Sequence, residues 1–423
     1  MYPKSNIDLS IEFCGVKFEN PFVLAAAPPT DDIDMLRDGF NAGWAGAVLK
    51  TTSVEGTPVS LKYPMMTAFD YEGGKISALG NIDLISEHHV EKVEERIKTL
   101  KAEFPSKIVI ASIMGTDKED WQTLVSRCGA AGADMIECSF SCPQGTLGNS
   151  KPGAMLGQDP VLSARVVTWL KEATAALSRP IPVVIKLTPH VTDFTEIASA
   201  VKQAGADAVC VSNTFKSLMG IDLDTWIPNP NVEGKSAYSG MSGPAVKPMV
   251  LRLVAEVARK SGIPITASGG VATWMDAAEF MLCGARTVQV CTAVMHYGFE
   301  IVEELIEGMT DYLTRRSLKS ANELIGWALP NIVAHDELVY GHRIVAKINP
   351  DLCIRCGDCV IACRDGGHRA ISADAERFPK VDTEKCVGCA LCSVVCPVKD
   401  CIAIDIPSPL VPARRGSSGG GEG

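Results

Sequence analysis

Eight short aliphatic runs recur along the first two thirds of the chain. They are Pro21–Ala27, Gly46–Thr51, Ile108–Ile113, Met135–Phe140, Pro182–Leu187, Ala208–Asn213, Pro264–Gly269 and Thr287–Thr292. Each is apolar with little alternation, as strands buried on both faces are. Amphipathic stretches at Trp121–Ala131, Pro160–Leu177, Ile197–Ala204, Val246–Ser261 and Phe299–Leu313 read as helices between and after them. The turns AGAD at 131–134, AGAD at 204–207 and CGAR at 283–286 each lead into a run. A βα unit repeated eight times predicts a TIM (β/α)8 barrel. An open doubly wound sheet is the alternative, because strand number does not prove closure.

The 423 residues are 46% hydrophobic, enough to bury full cores, and the formal net charge of -10 excludes a nucleic-acid-binding surface spread over the whole protein. No apolar run approaches the roughly 18 residues of a membrane span. Met1–Cys14 reads as no signal peptide, so the expectation is a cytoplasmic protein. Sixteen cysteines in such a chain point to metal or redox chemistry rather than disulfides.

Composition changes near residue 345, which divides the chain into a barrel domain at 1–345, a small cysteine-rich domain at 346–406 and a disordered tail at 407–423. The small domain carries Cys353, Cys356, Cys359 and Cys363, then Cys386, Cys389, Cys392 and Cys396 with Pro397 following. Three thiolates two residues apart wrap one face of a [4Fe-4S] cube, and in two-cluster ferredoxins the fourth cysteine crosses to the other cube. Cys353, Cys356, Cys359 and Cys396 are expected on one cluster, and Cys386, Cys389, Cys392 and Cys363 on the other. Zinc also takes CxxC pairs, but the doubled three-plus-one spacing fits iron-sulfur better. Cys401 stands outside the spacing and reads as packing. Clusters ligated by four thiolates pass single electrons, so another group must hold the pair.

Barrel sites form at the C-terminal strand ends, with phosphate commonly held after strands seven and eight. Those ends read Ser268-Gly269-Gly270 and Cys291-Thr292, where paired glycines permit close approach of backbone amides to a phosphate. Lys50 ends strand two, with Thr51 beside it, and Lys186 ends strand five. A charged amine in a buried run requires an anionic or strongly accepting partner. A reduced flavin is such a partner, so the pattern predicts FMN. After strand four, Ser141-Cys142-Pro143 opens a Gly-rich stretch, Thr146–Gly157, long enough for a lid. A thiol there suits proton exchange with a carbon whose neighbour exchanges a hydride with the flavin. Cys14, Cys128, Cys138, Cys210, Cys283 and Cys291 read as small core residues, and His88-His89 as a solvated helix start.

These residues resemble a family. From about Leu9 to Ile406, the motifs NPFVLAAAP, IASIMG, FSCPQG, GQDP, KLTP, SNTFKSLMGID, SGMSGPAVKP, ASGGV and QVCTAVM, with the double cysteine run, are similar to the PreA-subunit family of bacterial NAD-dependent dihydropyrimidine dehydrogenases. The barrel alone is also similar to class 1 dihydroorotate dehydrogenases. The resemblance implies Cys142 as catalytic acid/base and Lys50, Thr51, Lys186, Ser242, Gly243, Ser268, Gly269, Gly270, Cys291 and Thr292 at FMN. It implies Ser141, Asn213 and Thr214 at a pyrimidine-like edge. Ser139 and Asp117 stand where the family usually places substrate-binding Asn, which puts uracil itself in question.

The function implied is an iron-sulfur flavoprotein subunit that reversibly reduces the activated C=C bond of a pyrimidine or related cyclic amide. No Gly-rich dinucleotide fingerprint is visible. A PreT-like partner carrying FAD, binding NAD(P)H and related to the small subunit of glutamate synthase is therefore expected, in a hetero-oligomer. The alternatives are a dihydroorotate-type dehydrogenase and a ferredoxin-like electron-transfer subunit with a non-catalytic barrel.

Overall fold

The structure is a computed structural model that describes residues 7–71, 75–140, 153–338 and 344–404. The chain divides into two compact units, Met1–Ile332 and Val333–Gly423, so 333–345 groups with the second.

In the first unit, eight parallel strands close into a barrel: β1 (Phe22–Leu24), β2 (Gly46–Val48), β3 (Ile108–Ile113), β4 (Met135–Ser139), β5 (Val183–Lys186), β6 (Ala208–Val211), β7 (Ile265–Ser268) and β8 (Thr287–Val290). Strand order follows the chain, and β8 returns to β1 with Val288 beside Phe22. Closure removes the open-sheet alternative. The outer layer includes helices Lys118–Ala131, Pro160–Ala175, Phe194–Gln203, Lys247–Lys260 and Ile301–Arg315, each within a few residues of its sequence expectation. Helix Val90–Glu103 follows the helix start expected at His88-His89, whereas helices Ile33–Ala42 and Trp274–Leu282 were not among the helical stretches read from the sequence. Helix starts are set by local chemistry: the side chains of Asp32, Asp117, Asp159, Asp193 and Thr273 each accept amide hydrogen bonds from the first turn that follows. His89 is the N-cap residue of Val90–Glu103.

Side chains alternate along each strand. Ile136, Cys138, Ile185, Val288 and Val290 join the layer between strands and helices. Met135 and Val184 fill the barrel interior with Val23, Val48, Ile110 and Cys210. The same alternation turns Glu137, Ser139, Lys186 and Gln289 inward. A hairpin of Ile11–Phe13 and Val16–Phe18 supplies Phe13 and Phe18, which pack with Ala45, Ile108 and Ala208 and close the N-terminal end. The other end carries an antiparallel sheet unforeseen in the sequence, ordered Phe215–Ser217, Ser239–Ser242, Lys75–Asn81, Met66–Tyr71.

The second unit pairs Ala346–Ile348 with Ile402–Ile404 and Ile371–Ala373 with Pro379–Val381, and holds helices Asp358–Gly366 and Leu391–Val394. Its buried cluster is Ala346, Ala370, Ile371 and Ile402 with Cys359, Cys363, Cys392 and Cys401. So few apolar side chains cannot stabilise a domain without help from what the thiols bind. The 407–423 stretch lies outside the described residues.

Candidate active site

Strand ends place the polar groups. The β4–β5 register sets Ser139 beside Lys186 and Glu137 beside Val184, one inward step deeper. Above them a cavity of about 1360 Å³, counting its part open to solvent, occupies the C-terminal mouth of the barrel. Lys50, Thr51, Ser139, Lys186, Asn213, Thr214, Ser242, Gly243, Ser268, Gly269, Gly270, Cys291 and Thr292 all line it. Leu79, Asn81, Met241 and Met66 of the antiparallel sheet wall its outer side. Ser141 and Cys142, with most of the Thr146–Gly157 stretch, lie outside the described residues.

Asp117 does not line the cavity. Its helix begins at Lys118, earlier than the expected Trp121, and its carboxylate is spent as an exposed cap that accepts the Asp120 amide at 3.0 Å. The anionic partner expected for each buried lysine is supplied first by the chain's own carboxylates. Lys50 Nζ lies 3.1 Å from Asp83 Oδ1 and 3.8 Å from Asp31 Oδ2. Asp31 in turn accepts from Ser86 at 2.6 Å and Arg96 at 3.2 Å. Burial pushes the Asp83 carboxyl above its ordinary range against the pull of Lys50. Lys186 Nζ sits 3.3 Å from Glu137 Oε1 and 3.5 Å from Gln289 Oε1. Burial works against that ammonium most strongly of any single influence, but Glu137 together with the neighbouring Cys210 and Cys291 outweighs it and the Lys186 pKa rises. Each ammonium thus has a carboxylate partner within the chain.

The glycine pair answers to a packing constraint as well. Gly269 and Gly270 have φ of +138° and +81°. A Cβ on Gly270 would meet Lys247 backbone atoms at 2.9 Å, and one on Gly269 would meet Val250 Cγ2 at 2.8 Å. The missing side chains let the turn pack against helix Lys247–Lys260, so close packing behind the loop and the positive φ values both favour glycine here. Nearby, the Thr292 hydroxyl and Ser242 Oγ are 2.9 Å apart. Burial pushes the Cys291 thiol up to about 11, so it stays a neutral wall residue.

Asp83, Glu137, Gln289 and His296 were missed in the sequence. Glu137 was visible as a lone carboxylate within MIECSF, by the same logic that flagged the lysines; Asp83 and His296 carry no local pattern. His296 lines the cavity, and its buried Nε2 has no hydrogen-bond partner among the described residues. Two cations, a set of hydroxyls and an orphaned ring nitrogen facing one concave space fit a flavin mononucleotide.

In the second unit the crossed cysteine pattern is spatial. One cavity is lined by Cys386, Cys389, Cys392 and Cys363, and the other by Cys353, Cys356, Cys359 and Cys396. Cys401, buried, also lines the latter. The two loops turn alike: Arg355 and Gly388 share a left-handed φ of 59° and 69°, and Gly357 and Ala390 share 92° and 68°. The Ala370 amide donates to Cys363 Sγ at 3.2 Å.

Comparison with known proteins agrees with this geometry. Residues 8–313 match the dihydroorotate dehydrogenase family, and 346–404 match the 4Fe-4S dicluster domain. The chain is 41% identical over 398 residues to the NAD-dependent dihydropyrimidine dehydrogenase subunit PreA of Escherichia coli (strain K12), covering 92% of this chain and 94% of that one. The chain belongs to this dehydrogenase family. Other members include the chloroplastic dihydropyrimidine dehydrogenase (NADP(+)) of Arabidopsis thaliana, 35% identical over 79% of this chain and 80% of its own. The catalytic subunit of dihydroorotate dehydrogenase B from Methanothermobacter thermautotrophicus is 35% identical over 76% of this chain and 98% of its own. The barrel fold is shared with dihydroorotate dehydrogenase of Eimeria tenella, with a TM-score of 0.64 at 19% identity, covering 77% of this chain and 90% of that one. As a family member the chain is an oxidoreductase acting on CH-CH bonds, with FMN and two [4Fe-4S] clusters as cofactors. Among the described residues no helix is long and apolar enough to cross a membrane.

Proposed function

We propose that the chain reversibly reduces the activated C=C bond of a pyrimidine-like cyclic amide, with electrons arriving through its two clusters. The observation that carries this is the single cavity in which Lys186 and Ser139 at the β4–β5 ends share a space with Asn213, Thr214 and the Ser268-Gly269-Gly270 turn. Bound FMN supplies two-electron chemistry there, and the clusters supply single-electron passage.

The chain's residues then have these roles. Lys50 and Lys186, both at the cavity wall, would contact the flavin. Ser242, Ser268, Gly269, Gly270 and Thr292 hold its phosphate and ribityl end. Asn213 and Thr214 present donor and acceptor groups to the amide edge of the substrate. Cys142, on the loop after β4, holds the proton delivered to the carbon next to the one reduced. Ser139, only 4% exposed, is a short hydroxyl where a pyrimidine-reading site would use a carboxamide, so the substrate keeps a carbonyl-conjugated C=C but departs from uracil in its ring substituents.

Reducing equivalents come from a second subunit, which the subunit designation of the Escherichia coli relative supports, and in this reading that subunit carries FAD and binds NAD(P)H. The family match over the barrel favours dihydroorotate as a second substrate reading. The test is anaerobic turnover of the isolated chain. Reduced viologen should support cyclic amide reduction while NADH and NADPH support almost none. Saturable NADH oxidation by this chain alone would overturn the partner requirement, and dihydroorotate as the only dihydro product would favour the second reading.

A further inference from the structure

Glu137 is fully buried inside the barrel on β4, with the apolar Met135 and Val184 around it in the interior layer. A carboxylate in such a place is costly unless it is paired and hydrogen-bonded. Here both conditions hold. Its Oε1 faces Lys186 Nζ at 3.3 Å, and its Oε2 accepts from Gln289 Nε2 at 2.6 Å. Gln289 Oε1 closes the triangle at 3.5 Å from the same ammonium. Strands β4, β5 and β8 thus contribute one side chain each to the triangle, the Cys210 thiol of β6 also contacts Glu137, and only Lys186 and Gln289 of the three reach the cavity wall. A lysine needed only for packing would not require this support, and an apolar trio of similar volume would cost less to bury.

We propose that Glu137 is a positioning residue for the flavin chemistry: it clamps the Lys186 ammonium at the cavity floor and, by neutralising its charge, holds down the electron affinity of the flavin above it. The inference rests on the reading of Lys186 as a flavin contact. Replacing the carboxylate by an amide of the same shape removes the chain's own counter-charge, so the flavin becomes the remaining anionic partner for the Lys186 ammonium's charge. Such a charge favours forms of the flavin that carry extra negative charge.

Sulfite binding to the oxidised flavin reads that tendency without turnover. Glu137→Gln, in the FMN-loaded full chain at neutral pH, should bind sulfite about tenfold more tightly, equivalent to about 30 mV in a two-electron potential. Glu137→Asp keeps the charge but retracts it by a methylene, and should move affinity the same way by two- to threefold. It keeps the test alive if Glu137→Gln does not fold. In a Lys186→Gln background, Glu137→Gln should change sulfite affinity by less than twofold, because it acts only through the lysine. Unchanged or weaker sulfite binding in both Glu137 variants overturns the inference while leaving Lys186 as a contact if Lys186→Gln alone weakens it. No effect of Lys186→Gln on FMN or sulfite binding overturns the reading beneath it.

Discussion

Gly270→Ala is the sharpest structural perturbation available at the cavity. The residue sits at φ +81°, a conformation that costs an L-residue about 1–2 kcal/mol. Its added methyl would lie 2.6 Å from Lys247 Cβ and 2.9 Å from Lys247 Cα and N. These atoms belong to the first turn of helix Lys247–Lys260 and cannot swing aside as a side-chain tip can, so the turn must separate from the helix. Overpacking of this kind adds about 1–3 kcal/mol, for a total of roughly 2–5 kcal/mol. The displaced turn carries Ser268 and Gly269 at the cavity wall, so FMN affinity should fall at least tenfold. Gly15→Ala is the matched control: φ is +77°, yet nothing lies within 4 Å of the added methyl, and the hairpin is at the opposite end of the barrel. It should cost only about 1–2 kcal/mol and leave FMN binding alone. Urea denaturation gives the stability difference, and quenching of FMN fluorescence on titration gives affinity. If the two variants prove alike in both measurements, the assignment of the Ser268-Gly269-Gly270 turn to the flavin site is wrong.

Other outcomes follow from the same geometry. Cys142→Ala should retain FMN and clusters but lose about two to four orders of magnitude in turnover, and normal turnover would refute its role as the proton donor. Ser139→Asn should raise kcat/KM for uracil relative to the natural substrate by about tenfold, since a missing hydrogen-bond partner in a dry site costs about 1–3 kcal/mol; no change in that ratio would remove Ser139 from specificity. Intact chain should contain about eight iron and eight sulfide. Cys396→Ala should disturb the cluster of Cys353, Cys356 and Cys359 while the other cluster keeps its spectrum, and loss confined to the Cys386 cluster would contradict the crossed arrangement.

How far the sequence reached depended on how local each signal was. The barrel was legible because every strand is a continuous apolar run, and the crossed cluster cavities were legible because ligand spacing within one loop sets which thiols converge. The antiparallel sheet over the mouth was not. Lys75–Asn81 and Ser239–Ser242 (SGMS) are short on aliphatic residues, and their pairing depends on a contact about 160 residues apart along the chain, as in the bond from Asn81 to Gly240. Lys186 was read correctly as buried and inward, yet its partner comes from a different strand, 49 residues away. Charge balance within a barrel interior depends on register, which no single run displays. Asp117 failed for the opposite reason: a strong local preference for capping a helix claimed the side chain.

One measurement tests the account most directly. The FMN-loaded chain, photoreduced anaerobically and then mixed with a stoichiometric amount of each candidate, reports through its flavin absorbance which compound takes the electrons. The account predicts rapid reoxidation by a cyclic amide bearing a C=C bond conjugated to a carbonyl, with one dihydro product formed per flavin reoxidised and slower reaction with uracil. Reoxidation by no cyclic amide, or by orotate alone, would contradict it.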